Sequence, residues 1–454
     1  MASSYLNKTF SGSGSLTTWT FSAWIKKCDA AANGTIFAAY TDGSNHDRII
    51  INSNGTLSWY AYTSSSYVGN KNTNRVFRDT SAWYNIVCQW NTTSGTASER
   101  MRIWVNGVEE TSFAGETNPG SSASSNFNNH NRQHIIGSAV GSLSGTAEYF
   151  NGYMSHAAFV DGQALAPTTF GETDSTSGIW KFKSPSGVTW GTNGFHLKFE
   201  NSAALGTDSS GNTNTFTVNG NLRQAIDTPS NVYATFNLLS GADTMAVNTT
   251  FSNGNTSVVN SGSVYNPYGT TIGVNKGKWY AEFKTNVNPG DGMIGVFAKY
   301  GGSSNYLGSQ THQYTWYNAS GGKFASNSSN LATSVGTYTT NDIIGIALDC
   351  DNNKLYYHKN GTYMTYGGGT MNPTSGTYGI SITDPDDTDL GFYFMSAMDW
   401  GGSTRGNWSA NFGNGFFGTT AITSAGSNGN GSLFEYDVPS GYYALNTKNI
   451  NTYG

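Results

Sequence analysis

The sequence predicts an all-β chain of two antiparallel β-sandwiches in tandem, joined by a β-rich connector. Gly, Ser, Thr and Asn dominate the composition and favour turns, while the 14% of aromatic residues favour half-buried strands. Only 11% of residues are charged, against about 25% in an average globular protein, so long exposed helices are not expected. Eleven Asn-Gly dipeptides suit the type I′ turns of hairpins. The length of 454 residues allows about three structural units.

The first sandwich is predicted for residues 1–180. In MRIWVNG, Met101, Ile103 and Val105 alternate onto one face before Asn106-Gly107 reverses the chain. Trp19, Phe21 and Ile25 share one period-2 face and are expected in the core. The aperiodic stretch Glu116 to Asn131 is expected to be a surface loop. The strand-like segments are Thr18 to Lys27, Arg48 to Tyr62, Trp83 to Trp90, Met101 to Val105 and Tyr149 to Leu165.

The rest of the chain divides into a connector, a second sandwich and a tail. The connector, residues 181–243, is hairpin-like, and the second sandwich is predicted for residues 244–436. There KLYYHKNGTYM repeats the hairpin pattern at Asn360-Gly361. The aromatic and polar tail, residues 437–454, either packs back on the sandwich or lies free.

Charge and hydropathy exclude several classes of protein. The net charge of −5 without a basic cluster predicts no nucleic-acid partner. No apolar run approaches the ~20 residues of a membrane helix, so no membrane insertion is expected. The N-terminal stretch has no charged segment followed by an apolar one, so no secretory signal is predicted. The three cysteines cannot form a disulfide framework, and Cys28 and Cys88 are expected in the core.

Ordered motifs in both halves carry family resemblances. TFSAWIKK, WYNIVCQW, RMRIWVNG and FNGYMSHAAFVDGQAL together resemble a laminin-G-like, concanavalin-A-like lectin sandwich. GKWYAEFKT, IGVFA and NDIIGIALDCDNNKLYYHKNGTYM resemble a SPRY domain, and SANFGNGFF is similar to its closing strand. The resemblance implies that both sandwiches are concanavalin-A-like jelly rolls.

The pairing of these two domains, joined by DSSGNTN and DTPSN, resembles large structural proteins of marine bacteriophages. This implies a non-enzymatic virion surface protein (a tail fibre, an adhesin or a capsid-attached fibre) made in the host cytoplasm without a signal peptide. Its partners would be other virion proteins and a host-surface glycan or protein, and a homo-oligomer, by analogy a trimer, is expected. The alternatives are a capsid decoration protein without receptor binding, a polysaccharide-degrading tail enzyme and a cellular SPRY-type adaptor.

No catalytic motif supports the enzyme alternative. Glycoside hydrolases of concanavalin-A-like fold resemble one another in a Glu-x-Asp-x-x-Glu strand, which this sequence lacks. It also lacks the G-x-S-x-G nucleophile elbow.

Two oxygen-rich turns are candidates for calcium, the one cofactor considered. The first is the alternating series that includes Asp208 and Asn212, and the second is DPDDTD, with Asp384 and Asp386. The first series fails the EF-hand pattern, because Gly211 stands at position four instead of six. A tight turn held by Asp and Asn side chains is the alternative reading.

Aromatic clusters are the candidates for ligand recognition, because sugar rings stack on Trp and Tyr faces while polar groups bond their hydroxyls. We expect the binding residues in loops at the sandwich ends, where the sequence can vary without damage to the core. For each aromatic residue the alternative is core packing. The candidates are Trp59, Tyr60, Tyr62 and Tyr67 in the first sandwich, and Trp316, Trp400, Arg405 and Trp408 in the second.

Overall fold

The fold is nearly all-β, with 44% strand and 4% helix, which confirms the predicted fold class. The computed structural model describes residues 4–28, 32–139, 148–240, 249–261, 267–287, 289–300, 305–400 and 406–454. Among these, no helix has the length and apolar composition of a membrane span.

The chain forms two compact units. The first comprises Met1–Gln224 with Thr228–Ser230, and the second comprises Ala225–Asp227 with Asn231–Gly454. The described part of the predicted connector is therefore divided: residues 181–224 and 228–230 belong to the first unit, and residues 225–227 and 231–240 to the second.

Sixteen strands lie within the described part of the first unit. They are β1 (Tyr5–Thr9), β2 (Thr18–Lys27), β3 (Gly34–Asp42), β4 (Asn45–Ile51), β5 (Thr56–Thr63), β6 (Ser66–Val76), β7 (Tyr84–Asn91), β8 (Met101–Val105), β9 (Val108–Glu109), β10 (Phe113–Thr117), β11 (Gln133–Ile136), β12 (Gly152–Asp161), β13 (Gly171–Thr173), β14 (Trp180–Phe182), β15 (Phe195–Leu197) and β16 (Thr217–Asn219). Short 3₁₀ helices span Ala97–Glu99 and Pro167–Thr169.

These strands build two large antiparallel sheets and one hairpin, β13-β14. The eight-stranded sheet has the order β10-β6-β5-β4-β3-β11-β1-β16, and the six-stranded sheet has the order β15-β12-β2-β7-β8-β9. Trp19 of β2 lies 5.4 Å from Trp59 of β5 and 6.2 Å from Trp90 of β7, measured between ring centroids. All three indoles are fully buried, so the inner faces of the two sheets meet at this cluster. Trp19, Phe21 and Ile25 are in the core, as predicted.

Part of the predicted surface loop is buried instead. The carboxylate of Asp47, on the inner face of β4, accepts hydrogen bonds from Ser125 Oγ at 2.6 Å, Asn126 N at 2.7 Å and Asn126 Nδ2 at 2.8 Å. Phe127 then packs in the core. Short polar side chains can enter the interior here because a buried carboxylate needs donors. The prediction of an exposed loop is therefore wrong for residues 125–128.

Eighteen strands lie within the described part of the second unit. They are β17 (Thr249–Ser252), β18 (Ser257–Asn260), β19 (Lys278–Thr285), β20 (Gly292–Phe297), β21 (Gln313–Tyr317), β22 (Lys323–Ser326), β23 (Ser329–Thr333), β24 (Ile343–Asp349), β25 (Lys354–Lys359), β26 (Thr362–Tyr363), β27 (Thr365–Tyr366), β28 (Gly369–Thr370), β29 (Ile380–Ser381), β30 (Phe394–Asp399), β31 (Asn407–Asn411), β32 (Phe416–Phe417), β33 (Thr420–Ala421) and β34 (Tyr443–Ala444). A 3₁₀ helix spans Pro385–Asp387, and an α-helix, α1, spans Thr447–Tyr453.

The second unit also has two large sheets. One follows the order β17-β18-β31-β19-β24-β25-β26, with β29 paired to β25 and β34 to β19, and the other follows β23-β22-β21-β20-β30. Trp279, Trp316 and Trp408 are fully buried in its core. Two two-stranded sheets, β27-β28 and β32-β33, complete the unit.

Both predicted Asn-Gly hairpins form. Asn106 and Gly107 have φ angles of 49° and 77°, and Asn360 and Gly361 have φ angles of 50° and 81°. Two successive positive φ angles define the type I′ turn. Val105 accordingly pairs with Val108, and Lys359 pairs with Thr362.

The tail packs on the second unit, which decides between the two alternatives left by the sequence. Tyr443 and Ala444 pair in parallel with Trp279 and Tyr280 of β19. The side-chain oxygen of Asn446 caps α1 by accepting a hydrogen bond from Asn449 N at 2.9 Å. The rings of Tyr443 and Tyr453 stack with centroids 3.6 Å apart.

A buried chain of polar groups, the Glu282 network, joins β19 to neighbouring segments. Gly361 N donates to His358 Nδ1 at 3.2 Å, so the His358 Nε2 proton is donated to the Tyr280 hydroxyl at 2.6 Å. Tyr280 in turn donates to Glu282 Oε1 at 3.0 Å. The Glu282 carboxylate also accepts from Glu435 N at 2.9 Å and Tyr436 N at 2.8 Å. Burial nevertheless raises the pKa of Glu282 to about 7.

Candidate functional site

The first-sandwich candidates are divided by the pleat of β5. Leu57, Trp59 and Ala61 of this strand face the core, and Tyr60 and Tyr62 face the opposite side. Trp59 is fully buried, so its indole has no face available to a ligand. Its assignment to a binding site is therefore wrong, and core packing was the correct alternative.

The three tyrosines come together on the outer face of the eight-stranded sheet. The ring centroid of Tyr67 lies 5.8 Å from that of Tyr60 and 5.1 Å from that of Tyr62, with both pairs edge-to-face. Tyr67 is 56% exposed, and the other two are half-buried. We call Tyr60, Tyr62 and Tyr67 the tyrosine patch. It lies on strands β5 and β6 and not in a loop, contrary to the expectation that binding residues occupy loops.

An ion pair fixes the orientation of Tyr60. Arg48, which is opposite Tyr60 on β4, donates from Nε to the Tyr60 hydroxyl and from Nη1 to the Glu148 carboxylate. The Arg48 guanidinium carbon also lies 5.1 Å from the centre of the Tyr60 ring. Thr35 Oγ1 donates to Glu148 at 3.3 Å, which holds the carboxylate in place. The Glu148 carboxylate thus neutralises the positive charge of Arg48 beside the tyrosine patch.

Tyr60 keeps a proton to donate. Burial is the main cause that raises its pKa to about 12, so the phenol is neutral at physiological pH. Its oxygen accepts from Arg48, and among the described residues its own proton has no acceptor. The hydroxyl can therefore donate a hydrogen bond to a ligand on the patch.

A histidine supports the patch from its side. The His46 ring centroid lies 5.0 Å from Tyr62 and 5.7 Å from Tyr60, and the side chain is buried. Burial lowers the pKa of His46, and the charge of Arg48 lowers it further, so the imidazole is neutral. Its Nδ1 has no hydrogen-bond partner in the part of the chain that the structure describes.

Sequence reasoning missed His46, Arg48 and Glu148. The alternation of His46 and Arg48 with the buried Asp47 and Ile49 was a signal for the first two, because it places them on the same face as Tyr60 and Tyr62. No signal indicated Glu148, which meets Arg48 across 100 residues of sequence.

The second-sandwich candidates do not form one site. Trp316 and Trp408 are fully buried, and Trp316 Nε1 donates to Gly336 O at 3.0 Å. Both rings pack on Tyr338, with centroid distances of 5.2 Å and 5.8 Å. Their assignment to a binding site is wrong, since the core encloses both. Trp400 is at the surface, and Arg405 lies outside the described residues.

The first calcium candidate is a closed turn. The Asp208 carboxylate accepts from His196 N at 2.9 Å, Ser210 N at 2.8 Å and Asn214 N at 2.8 Å. Asn212 Nδ2 donates to Gly191 O at 2.6 Å. These side chains hold the turn, as in the alternative that the sequence left open. Calcium binding at this turn stays a prediction.

The second calcium candidate is also a turn. Asp384 begins the 3₁₀ helix by accepting from Asp386 N at 3.0 Å, and it accepts from Asn353 Nδ2 at 3.1 Å. The Asn353 bond is the first cause that lowers the pKa of Asp384. Asp386 is exposed. Within the described ranges, no three His, Cys, Asp or Glu side chains are grouped so as to hold a metal ion.

Comparison with known families supports the division into two kinds of domain. Residues 3–169 match the family model of the concanavalin A-like lectin/glucanases superfamily, and residues 278–373 match that of the SPRY domain. Both resemblances drawn from the motifs are thereby confirmed. No curated protein matches the sequence significantly.

Similar solved structures have low sequence identity. The heptameric SAP-like pentraxin from Limulus polyphemus is 18% identical, with 36% of this chain and 71% of the pentraxin covered and a TM-score of 0.26. The SPRY domain of human HERC1 is 14% identical, with coverages of 34% and 87% and a TM-score of 0.25. Domains LG4-5 of the mouse laminin alpha1 chain are 8% identical, with coverages of 89% and 83% and a TM-score of 0.29. At these values no property of those proteins transfers to this chain.

Proposed function

We propose that this chain is a non-enzymatic carbohydrate-recognition protein whose first sandwich binds a neutral glycan on the tyrosine patch. The observation that carries the proposal is the outward cluster of Tyr60, Tyr62 and Tyr67, oriented by the Arg48–Glu148 ion pair. An exposed aromatic face with a few placed polar groups is the usual composition of a sugar site.

The polar groups around the patch suit sugar hydroxyls. The Tyr60 hydroxyl is a donor, and Asn70, opposite Tyr60 on β6, supplies an amide that both donates and accepts. Because Glu148 balances Arg48, the patch offers no unpaired charge to an acidic or basic sugar. A neutral hexose or hexose chain is therefore the preferred ligand. The match to a superfamily of lectins and glucanases supports a carbohydrate ligand, and the missing Glu-x-Asp-x-x-Glu strand favours binding over hydrolysis.

A glycan array with the full chain, followed by calorimetric titration of the best ligand, tests this proposal. Tyr67→Ala removes the most exposed ring and is expected to weaken binding at least about tenfold, the effect of losing one stacking partner worth about 1.4 kcal/mol. Tyr378→Ala is the matched control, because Tyr378 is 49% exposed and belongs to the second unit. Unchanged affinity in the Tyr67→Ala variant would reject the patch, and release of oligosaccharides would reject the non-enzymatic role.

We further propose that the protein is displayed on a bacteriophage particle, as a tail fibre, adhesin or capsid-attached fibre. The support is the order of lectin-like and SPRY-like motifs in one chain. In this setting the glycan belongs to the host surface, other virion proteins are partners, and copies of the chain assemble so that weak sites act together. Immunogold labelling of purified virions tests the location, and unlabelled particles would favour a cellular SPRY-type adaptor. Mass photometry tests self-assembly against the 48.5 kDa monomer.

A further inference from the structure

We propose a second carbohydrate site in the SPRY-like unit, formed by Trp400, Tyr306 and Tyr317 with Asp291 and Lys323, for one pyranose ring of a neutral glycan. It goes beyond the function proposed above, which concerns only the first sandwich.

Adjacent strands bring four of these residues to one end of the five-stranded sheet. Trp400 follows β30, Asp291 precedes β20, Tyr317 ends β21 and Lys323 begins β22. These strands are neighbours in the order β22-β21-β20-β30. Tyr317 pairs with Lys323, and Trp400 N donates to Asp291 O at 3.4 Å. The alignment follows from the sheet register, although the residues span more than 100 positions of sequence.

The three rings form a continuous strip in which Trp400 is exposed, Tyr306 is half-buried and Tyr317 is buried. The Tyr306 ring centroid lies 5.0 Å from Trp400 and 6.1 Å from Tyr317, with interplanar angles of 52° and 37°. Tyr306 therefore lies between Trp400 and Tyr317 and contacts both rings. The other three tryptophans of this unit, Trp279, Trp316 and Trp408, are fully buried, whereas Trp400 is 37% exposed. A large indole held at the surface by a second ring is the kind of platform on which a pyranose stacks.

The polar groups of the strip select a neutral ligand. The Tyr317 hydroxyl donates to the Asp291 carboxylate at 2.8 Å, and the Lys323 ammonium lies 4.8 Å from the centre of the Tyr317 ring. Neither Asp291 nor Lys323 forms a salt bridge with any described residue. Asp291 can thus accept from one sugar hydroxyl and Lys323 can donate to another. The opposite charges of Asp291 and Lys323 cancel in sum, and an uncharged sugar, whose hydroxyls both donate and accept, can bond to both.

Saturation-transfer NMR on the full chain tests the site. The probes are the methyl glycosides of glucose, galactose and mannose. The Tyr67→Ala variant is used as background, so that binding by the first-sandwich patch is weakened at least about tenfold and the two proposals can fail separately. We expect at least one glycoside to bind this background. Adding Trp400→Ala should weaken that binding at least tenfold, and Asp291→Asn should weaken it several-fold.

Two further variants distinguish the loss of a binding residue from the loss of folding. Trp400→Phe keeps a smaller ring and should retain part of the affinity. Tyr300→Ala is the matched control, because Tyr300 is also 37% exposed in the same unit, and it should bind as the background does. Absence of binding by the Tyr67→Ala background would overturn the proposal. Equal affinity with and without Trp400→Ala would also overturn the proposal, because the strip would then have a packing role at the end of the sheet and no part in binding.

Discussion

Replacing Glu282 by Gln should change how the stability of the second unit depends on pH. Glu282 is fully buried in β19, and its two carboxylate oxygens accept hydrogen bonds from Tyr280, Asn411, Glu435 and Tyr436. Gln presents one oxygen and one NH₂ group to these donors, so donors on the NH₂ side lose their acceptor. We expect the variant to be less stable at acid pH, by about 1–3 kcal/mol for each buried donor left unpaired.

The sign of the pH effect follows from the raised pKa. Folded Glu282 has a pKa of about 7, above its ordinary value of 4.5, so the folded state binds the proton more tightly. Its stabilising contribution is complete below pH 4.5 and is lost as the pH rises through 7. At about 1.4 kcal/mol per pH unit of difference, the full loss is about 3.5 kcal/mol. The variant lacks this titration, so its deficit relative to the natural protein should shrink by about that amount from acid to neutral pH.

His358 changes the stability with pH in the opposite direction from Glu282. The effect of Glu282 is therefore read from the difference between the natural protein and the Glu282→Gln variant. Burial lowers its pKa to about 3, so it costs stability as the pH falls from 6.5. Both proteins carry His358, and the difference between their free energies of unfolding removes its contribution.

The cysteines supply a separate probe for each unit. Cys88 is buried in the first unit and Cys350 in the second. The protein is titrated with urea at pH 5 and at pH 8, and each sample is then alkylated briefly at one fixed pH. Mass spectrometry of each cysteine peptide gives the unfolding of both units in one sample. The Cys88 curve should not differ between the two proteins. An equal deficit at pH 5 and pH 8 in the Cys350 curve would refute the assignment of a raised pKa to Glu282.

Three further predictions follow from the first unit and the tail. Trp59→Ala should lower the free energy of unfolding by about 3–5 kcal/mol, whereas Tyr67→Ala should change it by less than about 0.5 kcal/mol; similar values in the alkylation assay would place Trp59 outside the core. Asp47→Asn should release residues 125–128, seen as faster amide hydrogen exchange there, and unchanged protection would show that the carboxylate is not what holds them. Deleting residues 437–454 should make Cys350 react without urea, and continued protection would show that the tail is dispensable.

Alternation in the sequence was enough to predict much of the first sandwich. The period-2 pattern of Trp19, Phe21 and Ile25 predicted an inner face, and Asn106-Gly107 predicted a hairpin, because both signals are local. The same rule applied to β5 would have separated Trp59 from Tyr60 and Tyr62. Grouping aromatic residues by proximity in sequence ignored the pleat.

Other features depend on contacts that no local pattern records. Glu148 reaches Arg48 from a distant segment, and residues 125–128 are buried because Asp47 needs donors. In the second unit, Asp291, Tyr317 and Trp400 meet only through the register of the strands that carry or flank them. Sequence spacing could not predict these meetings, because each requires the order of strands in a sheet.

The insertion of β34 beside β19 has a consequence for how the protein is made. Domains generally fold as units in the order of synthesis, and the first unit has nearly all its residues once position 230 has left the ribosome. The second unit cannot close then, nor when the segment that matches the SPRY model is complete at residue 373. Trp279 and Tyr280 at the start of β19 pair with β24 on one side, but they lack their second neighbour until Tyr443 and Ala444 emerge. Glu282 likewise lacks two of its donors until Glu435 and Tyr436 emerge. During that interval we expect the nascent chain to carry a complete first unit beside a second unit whose sheet is still incomplete.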